Sequence, residues 1–367
     1  MPVIQSQNLI NAFDLHITID NLAVKTWSSI EYSSRVDSAR VVSCIIHGPE
    51  AQEAARLGGV IKIRAGVGRV LDIGNEHPLN FEGLIKIVRP SQSATSITAI
   101  DYITMLATSE PQYYEAHTST GHDMYYLAAD ASDYKSVDVS KLTAASGIFT
   151  KKDFVSTKLV GHMTRKAYID NLFNEMYVEK FNDTDYPADS ILKWRYAIRS
   201  GDKLEFFLPD HLKTTATPMI TISEDNNNLI NEGIVAQIDT SNIINSATFV
   251  SKTDDNIYQN YTDSSSVSTY GPSGRVVKFN TTRKDRLEQL AYKYVQLNKF
   301  PTISYDVQLN SLENAGLGDL VKVDIPSLER QDILSIEAYN LKIAGGVKTT
   351  YTLGQKRLTT NQILNII

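Results

Sequence analysis

The residues of this chain that could do chemistry fall into a few short clusters. Gly66-Val67-Gly68 is a GxG. A phosphate cradle also needs a third glycine, a lysine and a long following helix. None of these follows, so the pair reads as a tight turn between strands. His117, His122 and Asp123 lie close in sequence and have metal-ligating chemistry. Their spacing matches no zinc motif, and a polar loop is the preferred reading. Ser223 to Asn228, SEDNNN, is rich in oxygen ligands but lacks the alternating acids, glycine and late glutamate of a calcium loop. It reads as a solvated turn. Glu175, Asp183 and Asp185 offer carboxylates for a glycosidase pair, but any chain of this size contains many such pairs. Trp194, Tyr196, Phe206 and Phe207 could stack on sugars, yet their alternation within a hairpin assigns them to a core or an interface. No G-x-S-x-G elbow is present. Cys44, in VVSCII, is the single cysteine and reads as a buried thiol with no disulfide partner. The expectation is therefore no catalytic residue, no cofactor site and no metal site.

The elements that would have to position these groups are mostly strands. FDLHITID (13–20) puts Phe13, Leu15, Ile17 and Ile19 on one face. ARVVSCIIHG, VIKIRAG, GRVLDIG, NFEGLIKIVRP and SATSITAID continue the pattern, and DYITMLAT reads as a short helix opened by Asp101. TRKAYIDNLFNEMY reads as a helix, with Ala167, Leu172 and Met176 among its apolar positions and Ile169 and Phe173 four apart. WRYAIRSGDKLEFFLPD reads as a hairpin turning at Ser200 and Gly201. A polar stretch from Thr253 to Ser273 reads as a long loop. An amphipathic helix follows, with Thr282 as N-cap, Asp285 completing a capping box, and Leu287, Leu290, Ala291 and Tyr294 on one stripe before Pro301. TISYDVQLN then alternates cleanly, with Ile303, Tyr305, Val307 and Leu309 opposite Ser304, Asp306 and Gln308. DLVKVDIP repeats the pattern, and YNLKI and VKTTYTL form a hairpin across Gly345 and Gly346.

At 367 residues two or three domains are expected, and a 42% hydrophobic fraction is ample for packed cores. A formal charge of −6 without a basic block argues against a dedicated nucleic-acid binder. MPVIQSQNLINAF has no signal-peptide pattern, and no apolar run approaches the ~20 residues that span a bilayer. The fold class read from these patterns is mainly β with an α+β middle region. It comprises a first small antiparallel β-barrel over 1–110, an α+β domain over 111–215, and a second barrel over 216–367 with an inserted helix at about 282–299. No fixed-period sequence repeat is visible.

In order, the segments resemble the baseplate hub protein of contractile-tailed bacteriophages, a family that includes XkdQ-like proteins and, more distantly, the hub of the T-even phages. The resemblance is carried by FEGLIKIVRPSQSATSITAIDYITMLA, with Phe81, Gly83, Ile97, Asp101 and Leu106. It continues through TRKAYIDNLFNEM with the WRYAIRSGDKLEFFLPD hairpin, then SNIINSATFVSK with Ser268, Tyr270 and Gly271 of DSSSVSTYG, and finally the capped helix, GLGDLVKVDIP and YTLG (Tyr351 to Gly354). It implies a non-enzymatic ring protein of the virion tail baseplate, made in the host cytoplasm. Its expected partners are itself as a homotrimer, the tail tube protein, the central spike protein, and possible contacts with baseplate wedge and tape measure proteins. DNA would be a partner only in passage, and no stable membrane association is expected. The alternatives weighed are a glycan-binding or peptidoglycan-hydrolysing tail-associated β protein, and a tube-like adaptor or wedge protein.

Overall fold

The structure is a computed structural model that describes residues 13–67, 80–108, 136–138, 164, 166–167, 177–178, 192–193, 195–200, 203–207, 216–225, 229–313 and 315–354. The first part of the chain gives β1 (Phe13–Ile19), β2 (Leu22–Ala23), β3 (Thr26–Arg35), β4 (Val41–His47), helix α1 (Pro49–Ala54), β5 (Val60–Val67), β6 (Phe81–Pro90), β7 (Thr95–Asp101) and helix α2 (Ile103–Thr108). Alternation drives these strands: in β4, Val42, Cys44 and Ile46 are buried while their neighbours are half-exposed. The middle part contributes β8 (Ser136–Asp138), β9 (Tyr177–Val178), β10 (Leu192–Lys193) and the hairpin β11 (Arg195–Ser200) with β12 (Lys203–Phe207).

The last part runs β13 (Ile220–Ser223), β14 (Leu229–Asp239), β15 (Ser246–Ser251), β16 (Tyr258–Thr262), helix α3 (Ser264–Tyr270), β17 (Gly274–Phe279) and helix α4 (Lys284–Asn298). It ends with β18 (Thr302–Leu309), β19 (Leu320–Ile325), β20 (Arg330–Ile343) and β21 (Val347–Gly354). Thirteen of these strands form one continuous sheet. Among the described residues the pairings leave both halves of that sheet open, so the small barrels expected from the sequence are not seen as closed cylinders. The halves instead fuse, β3 pairing with β20, and one hydrophobic core runs beneath both.

The two halves repeat one topology. In space the first runs β1-β5-β6-β7-β4-β3, and the second runs β13-β19-β20-β21-β18-β14. Rank for rank, the strands occur in the same chain order. The repeat reaches individual bonds. The Gly58 N–H donates to the Ile85 carbonyl at 2.9 Å and the Ile85 N–H to Gly59 at 2.9 Å, while Gly318 and Asp319 hold Ile336 in the same way at the same distances. Gly58 and Gly318 both sit at positive φ, 80° and 79°. A Cβ on Gly318 would also lie 2.7 Å from the Phe207 ring, so a side chain there has neither the backbone nor the room. A bulge follows Ile85 and another follows Ile336. One difference remains: β1 pairs antiparallel with β5, whereas β13 pairs parallel with β19.

Several sequence readings change. β3 carries no clear strand signal in the sequence, because Ser28, Ser29, Ser33 and Ser34 dilute its alternation of Ile30 and Tyr32. The 253–273 segment holds β16 and α3 rather than a long loop; Asp263 caps α3 by accepting from the Ser266 N–H at 2.9 Å. The capping box at Thr282 does not form. Arg283 is the N-cap with no side-chain cap bond, and Asp285 pairs with the Arg283 guanidinium instead. The predicted stripe of Leu287, Leu290, Ala291 and Tyr294 is fully buried, but against β15 and β16. With the β16-β15-β17 sheet, α4 thus builds its own small core between β14 and β18.

Candidate assembly interface

The chemical candidates do not converge. Gly66 and Val67 are the last residues of β5, paired with Asp14 and Phe13, so Gly66 belongs to a strand rather than a turn. Gly68, His117, His122, Asp123, Glu175, Asp183, Asp185 and Trp194 lie outside the described residues, as do 168–176 of the predicted middle helix and the predicted strand at 68–74. In SEDNNN, Ser223 ends β13, and the Glu224 carboxylate accepts from the Ser327 N–H at 3.0 Å and from its hydroxyl. Those bonds hold the Glu224 carboxyl below its ordinary range. Asn226 to Asn228 are outside the described residues. Tyr196 and Phe207 are buried, and Phe207 joins the main core. Cys44 is buried too, and desolvation pushes its thiol up to about 12, which removes thiolate reactivity. Among the described residues no cluster of histidine, cysteine or carboxylate groups could hold a metal ion, and no helix is long and apolar enough to cross a membrane.

What the chain does build is a seam. β3 lies antiparallel along the second part of β20, from Arg35 opposite Ala338 to Ile30 opposite Ile343. Beneath it a line of aromatic rings crosses from one half to the other. Phe81 meets Tyr32 edge-on at 6.4 Å, Tyr32 meets Tyr339 at 5.5 Å, and Tyr339 lies tilted on Tyr351 at 5.2 Å. Such edge and offset contacts add to the apolar burial of each ring. The Arg40 guanidinium sits 5.4 Å from the Phe81 ring centre.

Arg40 is itself wholly buried. Its Nε donates to Asp101 Oδ2 at 3.0 Å, its backbone N–H to the same oxygen, and its Nη1 to the Asn80 carbonyl at 2.8 Å. Asp101 also accepts from the Ile103 N–H at 3.1 Å, so one carboxylate secures β4 and the start of α2. Desolvation raises the Asp101 carboxyl, against the lowering effect of Arg40.

An ionic clasp closes one end of the seam with residues from all three parts of the chain. Asp37, at a left-handed φ of 60°, follows β3. Arg195 of β11 donates from Nε to Asp37 Oδ2 at 2.6 Å and from Nη2 to Glu337 Oε2 at 2.8 Å. Backbone bonds reinforce it: the Tyr196 N–H donates to Asp37 Oδ1 at 2.9 Å, the Asp37 N–H to the Tyr196 carbonyl at 2.8 Å, and the Val36 N–H to the Glu337 carbonyl at 3.0 Å. Desolvation raises the Glu337 carboxyl, with Arg195 opposing it. No sequence signal linked these three residues, because they are separated by 158 and 142 positions. Only the inward place of Glu337 among the alternating residues of β20 hints that a counterion is required.

The opposite face of the sheet near the seam is polar. Ser43 and Thr98 share a hydrogen bond at 3.0 Å, and at the matching place in the second half Thr352 donates to Asp306 at 2.7 Å. Lys342 and Glu31 pair at 2.5 Å across the seam, both more than half exposed, so they fix charge balance more than stability.

No sequence-family profile matches this chain, and no curated protein matches it. Solved structures do. A tail protein from Neisseria meningitidis MC58 aligns with a TM-score of 0.61 at 13% identity, over 94% of this chain and 97% of that one. The 43 kDa tail protein of prophage MuSo2 from Shewanella oneidensis gives 0.59 at 10% identity, over 95% and 98%. The prophage tail protein gp18 from Listeria monocytogenes EGD-e gives 0.54 at 12%, over 96% and 97%. The chain therefore has, end to end, a mainly β fold shared with these tail proteins.

Proposed function

We propose that this chain is a structural hub of a contractile phage tail, or of a phage-like injector, located in the virion baseplate. Three copies form a ring between the hexameric tail tube and the central spike, around a channel for tape measure protein and DNA. The observation that carries this reading is the internal repeat. A protomer with two matched half-sheets offers six similar faces from three copies, which is how a three-fold spike can meet a six-fold tube. In this reading residues 1–110 and 216–367 are the two ring domains, 111–215 is the α+β domain between them, and the chain has no enzymatic role. The end-to-end likeness to three tail proteins supports it. Baseplate wedge proteins would contact the ring from outside. The polar, hydroxyl-rich sheet face suits a wall past which DNA slides, and the −6 charge opposes its adhesion.

Co-sedimentation with assembled tail tube is the test. The full chain, mixed with its spike partner, is expected to pellet with tubes in proportion to tube ends rather than tube length. A chain that stays in the supernatant at every concentration overturns the reading.

A further inference from the structure

Among the described residues the repeat leaves two strand edges open that correspond to the two edges joined in the seam. In the seam β3 lies along residues 338–343 of β20. The counterpart of β3 is β14. Ser33 lies opposite Val41 and Gln237 opposite Ser304, and those partners in turn lie opposite Ile100 and Gly354 of the matched strands β7 and β21. The counterpart of the β20 segment is the end of β6, because Ile87 and Ala338 each close the shared bulge. Among the described residues, β14 pairs only with β18, and residues 86–90 of β6 pair only with β7. Burial differs accordingly. Ser34, covered in the seam, is 3% exposed, whereas Ile238 at the equivalent position is 49% exposed; Tyr339 is 1% exposed, whereas Val88 at its equivalent position is only half-buried.

We infer that β14 of one copy pairs antiparallel with the end of β6 in the next copy, repeating the seam between chains. This rests on the ring reading above and assigns its subunit contact. Carrying over the seam's register places Ile238 opposite Val88, Gln237 opposite Arg89, and Asp239 opposite Ile87 of the neighbour. Val88 already packs against the main core, so Ile238 would extend that core across the boundary. Lys86 and Arg89 lie on one edge and Asp239 ends the other, so the charges are complementary. Pro90 has no N–H to offer, which ends the ladder and discourages pairing with stray strands. The contact uses different surfaces on its two sides, so it joins copies head to tail rather than as a two-fold dimer, and the ring reading requires that the rotation close after three copies. With three copies, seams within chains alternate with seams between them.

A disulfide reads this register directly. The Val36–Glu337 backbone bond makes that pair hydrogen-bonded, so Ser33–Asn340, three residues further along, is a non-hydrogen-bonded pair. Its counterpart, Gln237 with Arg89 of the neighbour, inherits the close spacing of about 4.5 Å between Cα atoms that suits a disulfide. The one native cysteine, Cys44, is buried. Mild oxidation of the full-length Arg89→Cys/Gln237→Cys variant is expected to give reducible species of two and three chain masses, ending at three. Each single variant, and Arg89→Cys combined with Val235→Cys, is expected to stay at one chain mass. Ser33→Cys/Asn340→Cys is expected to close within a single chain. A trimer by light scattering without the cross-link overturns this junction and leaves the hub reading intact. A ladder ending at another number keeps the junction and removes the trimer. A chain that is monomeric at every concentration overturns both.

Discussion

Replacing Arg195 by alanine is expected to destabilise the protein by about 3 kcal/mol, the usual cost of removing one partner from a desolvated ion pair. Arg195 answers two carboxylates, Asp37 and Glu337, and the Glu337 side chain is only 10% exposed. Without the guanidinium, Glu337 retains only the Ser335 hydroxyl at 3.4 Å as a nearby donor on its own strand. The defect should depend on pH, in a direction the burial sets. Glu337 is a carboxyl whose folded value is raised, chiefly by desolvation, and Arg195 counteracts that rise. Its contribution to stability is therefore present below the ordinary carboxylate range and fades as pH climbs through the raised value. Removing Arg195 raises the carboxyl further, so Arg195→Ala should be most damaging near neutral pH. Its deficit relative to the unmodified chain should shrink on acidification, once Glu337 is protonated. Urea denaturation at neutral and acid pH checks this; a deficit that stays constant with pH would show that packing, not charge, is what Arg195 supplies.

Tyr339→Ala is expected to cost about 3–5 kcal/mol, the range for emptying a large aromatic site in a packed core. The ring is 1% exposed and touches both Tyr32 and Tyr351, so its loss interrupts the aromatic line where the half-sheets meet. The companion variant Tyr339→Phe separates ring from hydroxyl. The Tyr339 hydroxyl is buried with no hydrogen-bond partner among the described residues. Deleting it removes an unsatisfied polar group and should leave stability equal or raise it by about 1 kcal/mol. Tyr351→Phe should go the other way, because that hydroxyl donates to the Ala315 carbonyl at 3.3 Å. Thermal unfolding of the three variants checks the ordering, and a clear loss in Tyr339→Phe would contradict it.

Much of the sheet was legible in the sequence. Strands β18 and β19 show their alternation in the sequence, and Tyr305, Val307, Leu309, Val321, Val323 and Ile325 are buried as that pattern selects. The hairpins β11–β12 and β20–β21 announced themselves through glycine turns. The seam was not legible, for two physical reasons. Its central strand, β3, carries serines whose hydroxyls fit a sheet covered on both edges but weaken the apolar rhythm. Its clasp depends on contacts more than 140 residues apart, which local pattern cannot report. The repeat of the two halves is equally silent, since a topology is kept by backbone pairing while side chains diverge. Gly58 and Gly318 are among the few marks left at identical places, because their left-handed backbone tolerates little else. The capping-box pattern failed because Asp285 found a nearer cation in Arg283 than the amides it was expected to serve.

In the proposed hub, two matched half-sheets per chain make a ring of three copies with six similar faces. An electron-microscopy image of the purified full-length oligomer, classified without imposed symmetry, tests it most directly. The expected image is a three-fold ring with an open channel and six near-equivalent lobes around it. Particles of single chains, or a closed assembly with no channel, would contradict it.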